Sequence, residues 1–552
     1  METLEKRKTM FRKLLLTLFI ISNFLSAQNT VGTTLITEDV YDGYTLFTVF
    51  NDTYLINNCG EVINQWTSTF PPGNSVYLLE NGNLLRAGRT NSTDITFGGQ
   101  GGVIEIFGWE GNLIWQYFYD TPTKRQHHDI YPMPNGNVLI LAATIMSNSE
   151  AIQAGRNPAL LTESELYNEQ LIEVTPIGFN SANIVWEWNI KDHLIQDFDA
   201  TKDNFGAVAL NPNKLDVNFL NGGSGASNWL HINSIQYNEE RDQIVLGSRH
   251  MSEIWIIDHS TTTSEAASGT GGTYGKGGDF LYRWGNPESY RQGTSANRTL
   301  FGQHTPHFIP SGLPNGGKIM LYNNGIDRTP SYSQIDIISL PESSLGVYDY
   351  TANTAYLPVS PDYTYEEHSS GSSDFFSPIV SSAQQLPNGN ILICEGNQGH
   401  FFEINSNEEK VWEYINPVNS NTGIISSQGN PPPNANLTFR AEKYSTDYAA
   451  FTGRDLTPSD PIELNPDLTV CNNLSTSEFE VTSVTIYPNP TNDYVQIEST
   501  NSFDKIEVFN ILGRLVSITT DSKVDFSEQP SGVYILKIYS GNKSITEKII
   551  KN

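Results

Sequence analysis

Cysteine is scarce in this chain: Cys59, Cys394 and Cys471 are the only three in 552 residues. An odd number without zinc-type spacing implies neither a disulfide framework nor a cysteine metal site, and leaves room for one incidental bridge. Positive charge is also in short supply, with 32 Lys and Arg against 61 Asp and Glu and a formal charge of −29. Such a field argues against nucleic acid as a partner, and any anionic ligand needs cations gathered locally to overcome it. Beyond the first 27 residues there is no long apolar run, so no stable membrane span is expected.

What the chain does have is enough apolar residue, 38% of the total, for a sizeable core. It opens with a basic stretch, "KRKTMFRK", then "LLLTLFIISNFL" and a small-residue exit at Ser26-Ala27. Residues 1–27 therefore read as a secretory signal, and the mature protein as exported and soluble.

Two kinds of unit then recur. One is an apolar strand with aromatic residues near its end: "NCGEVINQW", "WEGNLIWQY", "SANIVWEW", "GDFLYRW" and "NEEKVWEY", with a weaker copy in "SLGVYDYTANTAYL". The other is a hairpin, as in "SVYLLENGNLLRA", "DIYPMPNGNVLILA" and "SAQQLPNGNILICE", where Asn-Gly sits between β-rich runs. Five hairpins alternate with six aromatic strands, and "LTFRAEKYSTDYAAF" supplies a late inner strand. The pattern predicts an all-β fold over residues 28–455, a six-bladed β-propeller closed by pairing a C-terminal strand with the N-terminal blade. Residues 456–483 read as a linker, and residues 484–552, with short alternating strands, as a small β-sandwich.

Histidines stand at the starts of three of the hairpins: "QHHDIYPMPNGN", "WLHINSIQYNEE" and "GQHTPHFIPSG". Alternation along a strand puts residues two apart on one face. That parity places His128, His231, Asn233 and His304 on one candidate face, and His127 and His307 on the other. Arg249 lies eighteen positions after His231, on the returning strand of the same hairpin. Its guanidinium is a planar donor fork suited to sulfate or phosphate oxygens. His250 points away from Arg249 as a supporting residue, and His193 receives no role.

The C-terminal motifs "YPNP", "VFNILGRLV" and "PSGVYILKIYSG" resemble the sorting domain of the type IX secretion system, which implies recognition by that machinery and passage across the outer membrane to the surface or medium. "HH" before an apolar strand, "WLHINSI" with "GSRH" after it, and "GQHT" resemble the aryl-sulfate sulfotransferase family over most of residues 30–450. That resemblance implies a six-bladed propeller moving a sulfuryl group from an aryl sulfate to a phenol through a sulfohistidine. It makes His304 the nucleophile, His231 and Asn233 ligands of the sulfuryl oxygens, Arg249 the charge clamp and one of the "HH" pair, His128 by parity, the remaining site histidine.

The chemistry stands by itself. A neutral imidazole has a lone pair for sulfur, preplaced donors stabilise charge on the transferring oxygens, and a protonated His128 or His231 supplies the leaving phenolate with a proton. No cofactor and no metal is required. A non-catalytic propeller binding glycans, sulfated polymers or proteins is the second reading the residues leave open.

Overall fold

The computed structural model describes residues 29–552 except 224, 370–371, 374, 473–484, 500–502, 512–513 and 541–542. The expected export signal, residues 1–27, lies outside the described residues. The chain divides into two compact units, one ending at Asp467 and the other beginning at Leu468. Both are all-β.

In the first unit six antiparallel sheets of four or five strands follow one another along the chain. The Asn-Gly sites form the tight turns that their sequence requires. Gly82, Gly136 and Gly389 take φ of 84°, 83° and 98°, values a glycine reaches without the Cβ penalty. Each donates its N–H to the carbonyl three residues back, of Leu79, Met133 and Leu386 respectively. The first strands of the sheets face one another: Pro72–Leu78, Lys124–Pro132, Ile232–Asn238, His304–Phe308 and Ser382–Gln385. Each touches the next in chain order. The late strand Ala441–Ser445 pairs with Gly43–Val49 of the first sheet, while Gly32–Ile36 pairs with Lys410–Ile415 of the last. The series of sheets thus closes on itself at two seams.

The recurring tryptophans tie sheet to sheet. Each is buried on an outer strand, and its indole N–H reaches the following sheet: Trp66 donates to the Gly108 carbonyl at 2.9 Å, Trp115 to Ser181 at 2.9 Å and Trp188 to Gly278 at 2.8 Å. Trp284 donates to Pro358 at 2.7 Å, and Trp412 of the last sheet returns to Asn58 of the first at 2.7 Å. A tryptophan suits this position because its large apolar body fills the space between sheets while its one donor meets a carbonyl. The fifth sheet has no such residue. The weak copy "SLGVYDYTANTAYL" does not supply its outer strand: Val347–Tyr348 pairs only with Glu342–Ser344, and Tyr363–Tyr365 takes that place. Tyr348 instead hydrogen-bonds Gln243 and packs under the neighbouring sheet.

Residues 456–467 do not run free of the first unit. Ser459 N–H donates to the Val62 carbonyl, Leu464 N–H to Ser426, and Ile462 is buried among Phe47, Trp412 and Tyr414. In the second unit a three-stranded and a four-stranded sheet share one buried cluster that includes Val495, Ile506, Phe526 and Leu536. Cys394 is a buried free thiol.

Candidate active site

Three of the facing strands begin with an irregularity of register, between Gln126 and Ile130, Ile232 and Ser234, and His304 and His307. At these bulges His128, His231 and Thr305 adopt φ of 49°, 50° and 51°. A left-handed conformation costs a non-glycine residue roughly 1–2 kcal/mol, so it persists only where surrounding contacts hold it. Here the His128 N–H donates to Gly99 at 2.7 Å and the His231 carbonyl accepts from Arg249 N–H at 3.1 Å. An extra residue in a strand re-aims side chains, and strict alternation fails at these positions.

The result is a histidine cluster. The rings of His128 and His231 lie 4.6 Å apart, and His250 packs 4.7 Å from His231. Phe97 flanks His128 and His231, and Phe439 sits 6.4 Å from the rings of both His128 and His304. The segment bearing Phe97 continues through Gly98 and Gly99 directly against the imidazoles: a Cβ at residue 99 would fall 2.1 Å from His128 Nε2. No side chain fits there.

Hydrogen bonds fix which nitrogen of each ring carries the proton. Asn324 donates both amide hydrogens to backbone carbonyls, of Ser377 at 2.8 Å and Val380 at 3.0 Å. Its Oδ1 therefore accepts from His304 Nδ1, 2.8 Å away, and Nε2 is the nitrogen of His304 with a lone pair. At His231 the Asn228 amide nitrogen donates to Nδ1 at 2.6 Å, so Nε2 carries the hydrogen and is a donor. His250 Nδ1 donates to the Asn228 carbonyl at 2.9 Å and steadies that asparagine.

Burial and the company of cations keep these rings neutral. His304 is pushed down to about 3, first by desolvation and then by Arg249. His128 and His231 are held well below the usual histidine value, first by desolvation and then by neighbouring groups, His127 foremost for His128 and His128 for His231, with Arg249 acting on both. Arg249 is half-buried, and among the described residues its guanidinium makes no hydrogen bond or ion pair; Asp327 acts on it electrostatically. It lines a cavity of about 240 Å³ together with Asn228, Trp229, His250 and Gly302. A half-buried guanidinium without a hydrogen-bonded partner, beside neutral N–H donors, suits an anion.

His128, His231, His304 and Arg249 lie in one neighbourhood, while the Asn233 amide is engaged elsewhere. Its Nδ2 donates to the Gln303 carbonyl at 2.7 Å and its Oδ1 accepts from Ser234 at 2.9 Å. The amide is spent on holding the strand next to His304, because the bulge between Ile232 and Ser234 breaks the alternation with His231. His127 is fully buried between Glu169 and His128. His307 faces a separate cavity of about 300 Å³ lined by Tyr77 and Arg440, and burial lowers it to about 4. His193 is structural, bonded to Asp279 and the Ala266 carbonyl. Asn228, Asn324, Glu169 and the Phe97–Gly99 segment are absent from the sequence-based set. Asn324 carries a signal in retrospect: it follows the returning strand Ile319–Asn323 of the His304 hairpin, as Arg249 follows Gln243–Ser248.

Residues 40–435, more than half of the chain, match the Arylsulfotransferase (ASST) family. The chain belongs to the arylsulfotransferase family. As a family member it is expected to move sulfuryl groups between small molecules, and the anion-seeking cluster lies within the matched region. Residues 485–552 match the secretion system C-terminal sorting domain, which marks this arylsulfotransferase for export to the cell surface or release. No helix among the described residues is long and apolar enough to cross a membrane. No curated protein matches the sequence. Among solved structures, a Bacteroides caccae protein of unknown function is similar at 11% identity and TM-score 0.38, covering 72% of this chain and 98% of its own. A putative 6-phosphogluconolactonase from Bacteroides fragilis is similar at 10% identity and TM-score 0.35, covering 74% and 99%. A catalytically inactive virginiamycin B lyase from Staphylococcus aureus follows at 10% identity and TM-score 0.32, covering 70% and 88%.

Proposed function

We propose that the protein is an exported aryl-sulfate sulfotransferase working by two-step exchange at His304, on a six-bladed β-propeller whose blades are the six sheets. In the first step the His304 Nε2 lone pair attacks sulfur as the bond to the aryl oxygen breaks, leaving a sulfohistidine and a phenol. In the second a phenolic acceptor takes the group and restores the imidazole. His231 Nε2–H and the Arg249 guanidinium hold the sulfuryl oxygens, where charge concentrates as the bond cleaves. His304 is neutral throughout the physiological range, so it needs no separate base to become a nucleophile. Asn233 acts through the Gln303 carbonyl as a positioning residue. The C-terminal unit is a β-sandwich read by the type IX secretion machinery.

The observation that carries this reading is the tautomer lock at Asn324, which leaves the lone pair of a buried, uncharged histidine on Nε2 while the Arg249 charge acts on the ring. The test is to incubate the protein with a mass-tagged aryl sulfate before adding acceptor and map the modified residue. A sulfuryl adduct on His304 is expected, with no transfer by His304→Ala. Transfer that survives in that variant refutes the assignment.

A further inference from the structure

His127 and His128 are adjacent in sequence, and their Nδ1 atoms face each other at 2.9 Å. On the far side of His127, Nε2 lies 2.9 Å from Glu169 Oε2, and Glu169 Oε1 accepts from the Ile232 N–H at 3.1 Å. All three side chains are buried. We propose that Glu169 and His127 form a proton-holding arm that switches His128 Nε2 between hydrogen-bond donor and acceptor without placing a charge on His128. This rests on the sulfotransferase reading of the site.

The geometry leaves few arrangements. Two lone pairs or two hydrogens cannot face each other across 2.9 Å, so one proton lies between the Nδ1 atoms. The carboxylate of Glu169 accepts from His127 Nε2, which therefore carries a hydrogen. When His127 is neutral its Nδ1 accepts from His128 Nδ1–H, and His128 Nε2 is a lone pair. When His127 holds one more proton, as an imidazolium beside the carboxylate, its Nδ1–H donates to His128 Nδ1, and His128 must carry its hydrogen on Nε2. A single proton on His127 thus decides what His128 Nε2 presents, and the cation rests against the Glu169 carboxylate.

This removes a difficulty in the site. Burial disfavours a charge on His128, and so do His127, His304, Arg249 and His250 beside it. An acid that must first become an imidazolium is therefore poorly placed there. Under the relay the protons balance without it. As the sulfur–oxygen bond of the donor breaks and the sulfur–nitrogen bond to His304 forms, the aryl oxygen takes the Nε2 proton of His128. The His127 Nδ1 proton moves to His128 Nδ1, and His127 becomes neutral. The acceptor phenol reverses the sequence, giving its proton to His128 Nε2 as its oxygen takes the sulfuryl group.

Two measurements on the full-length exported chain test this. Nitrogen-15 NMR of labelled histidines, followed against pH, should show one coupled titration in which His127 gains the charge while His128 changes from the Nδ1–H to the Nε2–H form and stays neutral. A His128 imidazolium, or a His128 tautomer that does not change, overturns the relay. Transfer rates should then depend on the leaving group in Glu169→Gln, a near-isosteric variant without the charge. Phenyl sulfate, whose phenolate needs a proton, is expected to lose roughly 100-fold, the lower range for a positioned acid. 4-Nitrophenyl sulfate, whose phenolate leaves readily, should lose under tenfold, and Glu169→Asp should recover part of the phenyl sulfate rate. An equal loss on both donors marks a merely structural role and refutes the proposal. If the unaltered protein transfers no sulfuryl group, the proposed function falls, while the NMR titration still decides the relay.

Discussion

Arg249→Ala separates the anion clamp from every other contribution to the site. A unit charge about 4 Å from a charged oxygen, at an effective dielectric near 20, contributes about 4 kcal/mol. Loss of one preplaced donor to a developing oxyanion costs a similar ~3–4 kcal/mol, or 10²–10³ in rate. Both routes lead to a fall in kcat/KM for an aryl sulfate of at least about 100-fold. The fold should be little affected, because among the described residues the Arg249 guanidinium has no hydrogen-bonded partner to orphan and Asp327, the charge acting on it, is largely solvent-exposed. A second signature follows from electrostatics. Arg249 is one of the causes holding His304 down at about 3, so its removal moves that pKa up. Protonated His304 has no lone pair, and the acid limb of the pH–rate profile must then shift to higher pH. Arg249→Lys returns the charge without the planar fork: it should move the limb back while recovering only part of the rate. The assay is initial transfer rate from 4-nitrophenyl sulfate to phenol across pH 3–8, with thermal unfolding as control. A loss smaller than tenfold, or an acid limb that stays put or moves down, refutes the placement of this arginine at the sulfuryl group.

Two further outcomes follow. Gly99→Ala should reduce transfer by roughly 100-fold, the usual effect of displacing a reacting group by an ångström, since the new methyl occupies the space of His128 Nε2 at a backbone φ of 81°; near-normal rates would show that the segment moves aside. His259, bonded to Glu173 at 2.9 Å and Asp242 at 2.7 Å, has its pKa raised to about 9. A raised value means the stabilisation, roughly 3 kcal/mol, is complete below pH 6.5 and lost as pH climbs through 9. The difference in unfolding free energy between the unaltered chain and His259→Gln should therefore shrink between pH 7 and 10, and a constant difference would contradict the pairing.

Most of the architecture is legible from local chemistry. Asn-Gly between β-rich runs has one good solution, a tight hairpin, and the tryptophan positions mark strands whose indoles need a carbonyl on the neighbouring sheet. The closing strand around Ala441–Ser445 is legible for the same reason: an apolar alternating segment remains after every hairpin has been counted. The site is legible as a set of residue types but not as an arrangement. Parity, the tool that selects His128 over His127, assumes an unbroken strand, and His128, His231 and Thr305 stand at bulges where that assumption fails. It therefore places Asn233 beside His231, although the amide is occupied with Gln303 and Ser234. It also hides the part of His127, whose value depends on Glu169, 42 residues away. Asn324 and Gly99 are invisible for a related reason: a tautomer lock and a steric allowance are properties of two distant segments meeting, and neither segment carries a motif.

The double seam bears on how an exported chain matures. Tyr44 pairs with Tyr444, and Gly32 with Ile415, so the ring is incomplete until some 400 residues separating these partners have all arrived. Native closure is thus among the most non-local events available to the polypeptide, and such topologies fold slowly. Closure must wait until the strand Ala441–Ser445 has been made.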